Sequence, residues 1–238
     1  METKLYFDIL PQPDDFTCGP TCLHAVYNYY GDQMALPDLI RQVPQLKEGG
    51  TLGVLLACHA LRRGYKALIY TYNMRVFDPT WFESKSISLR KKLQARLDHI
   101  QKNKLRFATK SYLQFVELGG EIRFEDLTGR LIQKYLKRDI PILTGLSATY
   151  LYRTPRERAV NARMEYDDVG GDPSGHFVVL CGYDRESRRM LVADPLYPNP
   201  INKKQYYEVS QNRLIASILL GVLTYDANLI ILTPPPFK

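Results

Sequence analysis

The feature that most limits the fold is a pair of apolar runs flanking a short polar turn. Residues 174–183 (Ser-Gly-His-Phe-Val-Val-Leu-Cys-Gly-Tyr) and 189–194 (Arg-Met-Leu-Val-Ala-Asp) lie on either side of Asp184-Arg-Glu-Ser. Runs of this length and composition, bounded by turn formers, read as two paired antiparallel strands. Further strands are expected at 205–209 and 228–233, with a helix at 211–220 between them.

The first part of the chain has a different period. Leu23, Val26, Tyr27 and Tyr30 fit the i, i+3, i+4, i+7 helical template. Gly19-Pro20 stands at the helix entry, where a proline has no amide hydrogen to lose, and Gly31 supplies the C′ residue. Helices are expected at 36–43 and 51–63, the second ended by Gly64, followed by a strand over 65–72. A long basic helix is expected at 86–103, with Leu89, Leu93, Leu97 and Ile100 on one side. A helix around 111–117, a strand at 121–124, a helix at 126–138 and a strand at 141–146 follow. Helices first and antiparallel strands later argue for an α+β fold, one domain over residues 1–238, and not an alternating parallel sheet. The stretch from Arg153 to Ser174 is polar and glycine-rich without a sustained period, a long loop that reads either as a lid or binding loop or as decoration.

Composition narrows the class. Of the 238 residues, 45% are hydrophobic and 24% charged, which excludes a disordered or fibrous chain. The net charge of +7 is concentrated: Lys85, Arg90, Lys91, Lys92, Arg96, Lys102, Lys104, Arg106 and Lys110 face a single acid, Asp98, within 85–110. Outside that segment the chain is close to neutral. The basic stretch reads either as a solvated helix face or as a docking surface for an acidic or amphipathic peptide. No reader motif or aromatic interleaving accompanies it, so nucleic acid is not the expected partner. The N-terminal residues have no apolar h-region, and the run Leu214–Leu223 is about half of what a bilayer crossing needs. With four cysteines, too few to staple a fold of this size, the expectation is a cytoplasmic protein with free thiols and no membrane span.

Of those cysteines, Cys22 and Cys58 fall inside expected helices and Cys181 in a strand, whereas Cys18 lies at the entry of the first helix. There, free amide hydrogens and the macrodipole favour the thiolate that nucleophilic chemistry needs. A cysteine nucleophile also needs an imidazole. His24, His59 and His99 fall within helices, while His176 opens an apolar strand after Ser174-Gly175. In a hairpin centred on Arg185, residue 176 is directly opposite residue 194, with Cα atoms roughly 4.5–5.5 Å apart. Asp194 can then orient the imidazole, and a slip of one residue would put the two side chains on opposite faces. For a developing oxyanion the candidate donors are the Cys18 amide and the Gln12 carboxamide, which donates without titrating. A zinc set drawn from Cys18, Cys22, Cys58, His59 and Cys181 lacks any Cys-x2-Cys pair, and Cys58 and His59, adjacent on a helix, diverge. No metal or cofactor is expected.

Gln12-x5-Cys18-Gly-Pro-x-Cys-Leu, Tyr29-Tyr30-Gly31, Gly175-His176-Phe-Val-Val-Leu-Cys-Gly-Tyr-Asp and Val192-Ala-Asp194-Pro195 together resemble the bacteriocin-processing, double-glycine leader peptidases. The resemblance covers about half the chain and leaves residues 65–140 and 153–174 unmatched. It implies a papain-like cysteine peptidase fold, N-terminal helices packed on a C-terminal antiparallel sheet. Cys18 would be the nucleophile, His176 the base, Asp194 the orienting acid and Gln12 the oxyanion donor. The expected activity is thiol-dependent hydrolysis of a peptide or protein substrate. A peptide-binding module with little turnover and an acyltransferase remain open beside it.

Overall fold

The computed structural model describes residues 2–46, 49–84, 86–160 and 163–235. In chain order the elements are β1 (Glu2–Lys4), α1 (Cys18–Tyr29), α2 (Leu36–Gln42), α3 (Gly53–Arg62) and β2 (Lys66–Thr71). Then come α4 (Leu89–Asp98), α5 (Asn103–Glu117), β3 (Glu121–Arg123), α6 (Gly129–Leu136) and β4 (Ile142–Ser147). The remainder is α7 (Ala148–Tyr152), β5 (Glu157–Val160), β6 (Arg163–Tyr166), β7 (Gly175–Asp184), β8 (Arg189–Ala193), β9 (Tyr206–Ser210), α8 (Gln211–Leu220) and β10 (Asn228–Thr233). This is an α+β architecture.

The main sheet runs β3-β2-β10-β4-β7-β8-β9, and β1 pairs with the far end of β7. All pairings in it are antiparallel except β2 with β3. Most of the sheet comes from the C-terminal half of the chain, and β1 and β2 are added to it from the first half. Every residue of β4 is buried, and so is β7 from His176 to Tyr183, so both faces of these central strands are covered. Helix α1 packs on β7, α3 on β2 and β10, and α8 on β4. Gly31 (φ +77°) and Gly64 (φ +88°) turn the chain out of α1 and α3 in the left-handed region that favours glycine.

Two expected elements take another form. The basic stretch is not one helix: α4 stops at Asp98, α5 starts at Asn103, and the two pack as a helical hairpin. The reason is burial. Leu93 and Leu97 on α4 and Ala108, Tyr112 and Phe115 on α5 all enter the interior, which a single straight helix cannot achieve. Lys85, the first residue of that stretch, lies outside the described residues. Likewise, the 153–174 segment is not a bare loop. It contains the antiparallel pair β5–β6, closed back on Asp172 by reciprocal backbone hydrogen bonds with Glu157 of 2.8 and 3.0 Å.

The hairpin register also differs from the centre at Arg185. The turn occupies residues 185–188, and Asp184 pairs with Arg189, Tyr183 with Met190 and Gly182 with Leu191. A bulge then shifts the ladder so that Leu180 faces Val192 and Val179 faces Ala193. Continued one step, the ladder puts Asp194 beside Val178, two residues along from His176. His176 and Asp194 are diagonal neighbours on one face, not direct partners.

Candidate active site

Cys18 is the first residue of α1, and Thr17 before it makes no side-chain cap to the helix. The amide hydrogens of the first turn are thus directed past the Cys18 side chain, which is 8% exposed. His176, second residue of β7, is also buried, and its ring stands within hydrogen-bonding reach of the Cys18 sulfur. His176 Nε2 donates to Asp194 Oδ1 at 2.8 Å. The nitrogen left for sulfur is therefore Nδ1.

Asp194 is fully buried and accepts four hydrogen bonds. Besides His176, Oδ1 takes the Leu196 amide at 2.9 Å. Oδ2 takes the hydroxyls of Tyr152 and Tyr207, each at 2.7 Å. Sequence reasoning missed both tyrosines. Tyr207 had a signal: it faces Val192 across the β8–β9 ladder, and residues 192 and 194 share a face. Tyr152 ends the short α7 and has no local signal.

These contacts set the charge states. Burial opposes a charged His176 ring, but Asp194 and the Cys18 sulfur outweigh it and push the ring up to about 10. Burial likewise opposes the Asp194 carboxylate, and the His176 charge with the three side-chain donors still holds it below its ordinary value. Tyr152 and Tyr207 are driven well up, first by burial and then by Asp194, and so stay protonated as donors. The other cysteines are held as thiols by burial: Cys58 is pushed up to about 11, Cys181 to about 12, and Cys22 well above its usual value. Cys22 Sγ, one turn after Cys18, donates to Phe177 O at 3.2 Å.

Gln12 borders the same cleft as Cys18 and His176, a depression of ≈ 750 Å³. Its amide donates to Pro195 O at 2.8 Å, tying it to the Asp194 loop, and its Nε2 donates to Asp14 O at 2.8 Å. One Nε2 hydrogen is left for the cleft. One wall of the cleft comes from the β5–β6 hairpin through Glu157, Arg158, Met164 and Tyr166, and another from Gly49, Gly50 and Thr51. The floor beside His176 is tight: a Cβ on Gly175 would meet Thr224 Oγ1 at 2.6 Å. Among the described residues no group of three His, Cys, Asp or Glu side chains gathers that could hold a metal ion. Nor is any helix among them long and apolar enough to cross a membrane.

Comparison with known proteins adds the family. No curated protein matches the chain. Similar solved structures include the peptidase domain of Streptococcus ComA, a bi-functional ABC transporter involved in quorum sensing (13% identity, TM-score 0.44, 97% of this chain and 100% of that one covered). A double glycine motif protease from an AMS/PCAT transporter, solved with its leader peptide, is similar at 12% identity and TM-score 0.46, covering 98% of this chain and 95% of that one. A C39-like peptidase from Bacillus anthracis is similar at 14% identity and TM-score 0.47, covering 99% and 98%. The model of the Peptidase_C39 like family matches residues 4–216, a span that takes in Gln12, Cys18, His176 and Asp194, and the chain belongs to that family.

Proposed function

We propose that the protein is a cysteine peptidase that hydrolyses a peptide or protein substrate through Cys18, His176, Asp194 and Gln12. The observation that carries this reading is the division of labour on one ring: His176 Nε2 is spent on the buried Asp194 while the other side of the ring meets Cys18. With Asp194 ionised and the ring protonated, an imidazolium stands beside Cys18 as counter-charge to the thiolate that reacts and as proton donor. The thiolate attacks the peptide carbonyl, and the oxygen takes up negative charge against the Cys18 amide and Gln12 Nε2. His176 gives its proton to the leaving amine as the C–N bond breaks, leaving a thioester. The neutral imidazole then takes a proton from the water that attacks the thioester, the C–S bond breaks as the acid leaves, and His176 is again protonated beside the freed sulfur.

The test is competitive alkylation followed by substrate mapping. Iodoacetamide at neutral pH labels Cys18 faster than Cys22, Cys58 or Cys181. Comparison of new protein N-termini with wild type and with Cys18→Ala then yields a set absent from the variant. Equal labelling of all four thiols, or identical N-termini, overturns the proposal.

A further inference from the structure

The basic segment of the sequence is not spread around the surface. It forms the α4–α5 hairpin, and that hairpin abuts the cleft. Lys104, in the first turn of α5, is part of the cleft wall. Its Nζ stands 5.5 Å from the centroid of the Tyr225 ring, and the Arg75 guanidinium stands 5.4 Å from the same centroid. Arg96, on α4, reaches across to donate to Arg75 O at 3.1 Å. Two cations therefore meet one aromatic ring, and a third, Arg96 of α4, is tied to the backbone beside it. Tyr225 follows Thr224, the residue in close contact with Gly175, which precedes His176. The cluster is thus joined to the candidate catalytic residues through adjacent residues of one cleft.

From that point the positive face continues outward. Lys91, Lys92, Lys102 and Lys110 are exposed, and among the described residues no carboxylate lies within ion-pair distance of them. Arg90 is paired with Glu117 at 3.1 Å. Asp226 accepts from Gly53 N at 2.7 Å at the start of α3. Asp15, Glu157 and Asp172 also line the cleft, together with Arg158 and Asp226.

We infer that the face formed by Arg75, Arg96, Lys104 and the exposed lysines of α4 and α5 docks an acidic segment of the polypeptide substrate, outside the scissile region. This deepens the peptidase reading and rests on it. The acidic segment leaves the cleft past Lys104 and runs over Arg75 and Arg96 onto α4. Its electrostatic capture raises the local concentration of the scissile segment at Cys18.

The experiment uses two probes on the full chain. The first is a fluorescein-labelled octaglutamate, followed by anisotropy. The second is a pair of iodoacetyl peptides with the same glycine-serine spacer and either a glutamate or a lysine tail, followed by the rate of Cys18 alkylation. The glutamate-tailed probe is expected to alkylate Cys18 about tenfold faster than the lysine-tailed one at low salt. That ratio should collapse toward one in roughly 0.3 M NaCl, where surface charges are screened. Lys91→Glu/Lys92→Glu and Arg75→Glu should each lower the ratio severalfold. Lys134→Glu/Lys137→Glu on α6, with the same change in net charge, should not. A ratio near one in wild type, an equal fall in the α6 variant, or duplex DNA displacing octaglutamate from a tighter complex would overturn the inference. The two readings fail separately. If Cys18 is not selectively alkylated even by iodoacetamide, the peptidase reading falls, and the octaglutamate binding and its salt and charge-reversal dependence still decide the docking face.

Discussion

Replacement of Asp194 by asparagine tests the centre of the site. Asparagine matches the shape of aspartate and can still accept from His176 Nε2, but it removes the charge that holds the ring protonated. His176 stands at about 10 against an ordinary 6.5, a difference worth about 5 kcal/mol at ~1.4 kcal/mol per factor of ten. Without the Asp194 charge only the Cys18 sulfur still opposes burial, so in Asp194→Asn the ring falls from about 10 and the counter-charge beside Cys18 is weakened. The expected loss in Cys18 alkylation rate and in turnover at pH 7 is about 10³-fold, less than the full ~5 kcal/mol because the amide still orients the ring. The profile should change shape as well. At pH 6–7 the ring carries less charge in the variant than in wild type, so the two alkylation profiles should part there. Stability responds with a definite sign. A ring raised in the folded state stabilises fully below its unfolded value of ~6.5, and that contribution is lost as pH rises toward 10. A depressed Asp194 stabilises above its unfolded value of ~3.9 and loses the contribution as pH falls through its folded value. The pair's contribution should therefore be greatest between those limits, and the variant should lack it. The assay is pseudo-first-order alkylation across pH with thermal unfolding by circular dichroism on the same samples. A folded Asp194→Asn with the wild-type alkylation profile at pH 6–7 would refute the ion-pair account.

Other perturbations separate the roles around that pair. Tyr152→Phe and Tyr207→Phe each remove a hydrogen bond to a buried carboxylate, so each should cost ~1.5–3 kcal/mol in urea unfolding and shift the alkylation profile toward that of Asp194→Asn; no shift in either would remove the hydroxyls from the account. Gln12→Ala should lower kcat by ~10²-fold with little change in KM, while Cys18 alkylation, which forms no oxyanion, changes less than about threefold; a parallel loss of alkylation would make Gln12 a structural residue. Asp226 is pushed up to about 7 by burial, partly offset by the Gly53 amide and Asn228. The native state holds that proton more tightly than the unfolded chain, so wild-type stability should fall from about pH 4 to 7, and Asp226→Asn should gain by up to ~4 kcal/mol at pH 8 and less at pH 5; equal urea midpoints at both pH values would contradict this. Gly175→Ala should impair turnover because its Cβ meets Thr224 Oγ1 at 2.6 Å, and Thr224→Ala should restore part of it; no rescue would place the strain elsewhere.

Much of the arrangement is legible in the sequence where a single element decides it. The helix at 211–220 has its expected limits because Ser210 caps it, accepting from the Arg213 amide at 3.4 Å, and the strand at 228–233 because its run is apolar almost throughout. Cys18 at a helix start and His176 at a strand start follow from Gly-Pro and Ser-Gly flanks that mark those starts. What depends on two elements at once is not legible. The break between α4 and α5 is imposed by the interior that Leu97 and Tyr112 share. The β5–β6 strands are four residues each, and their few apolar residues are too short a run to set a period against the surrounding polar segment. The tyrosines reach Asp194 from α7 and β9, and only the assembled sheet brings those elements together.

The register of β7 and β8 shows how little separates a working arrangement from a failed one. With the turn at 185–188, an uninterrupted ladder would place Asp194 beside Val179, on the face away from His176. The bulge between Leu180 and Gly182 absorbs one residue of β7 and restores parity, so that Asp194 falls beside Val178 and on the His176 face. Parity restored is not register restored, since the carboxylate now approaches the ring diagonally. It also lies just past the end of β8, where its amide still donates to Gln205 O at 2.8 Å on the β9 side. A carboxylate in that position needs other restraints, and the four donors supply them: Leu196 N fixes the loop, and Tyr152 and Tyr207 hold the oxygen that His176 does not use. The two hydroxyls are therefore the consequence of the bulge. A direct cross-strand aspartate would have been oriented by the sheet alone, whereas a diagonal one is oriented by neighbours whose side chains were never part of the hairpin.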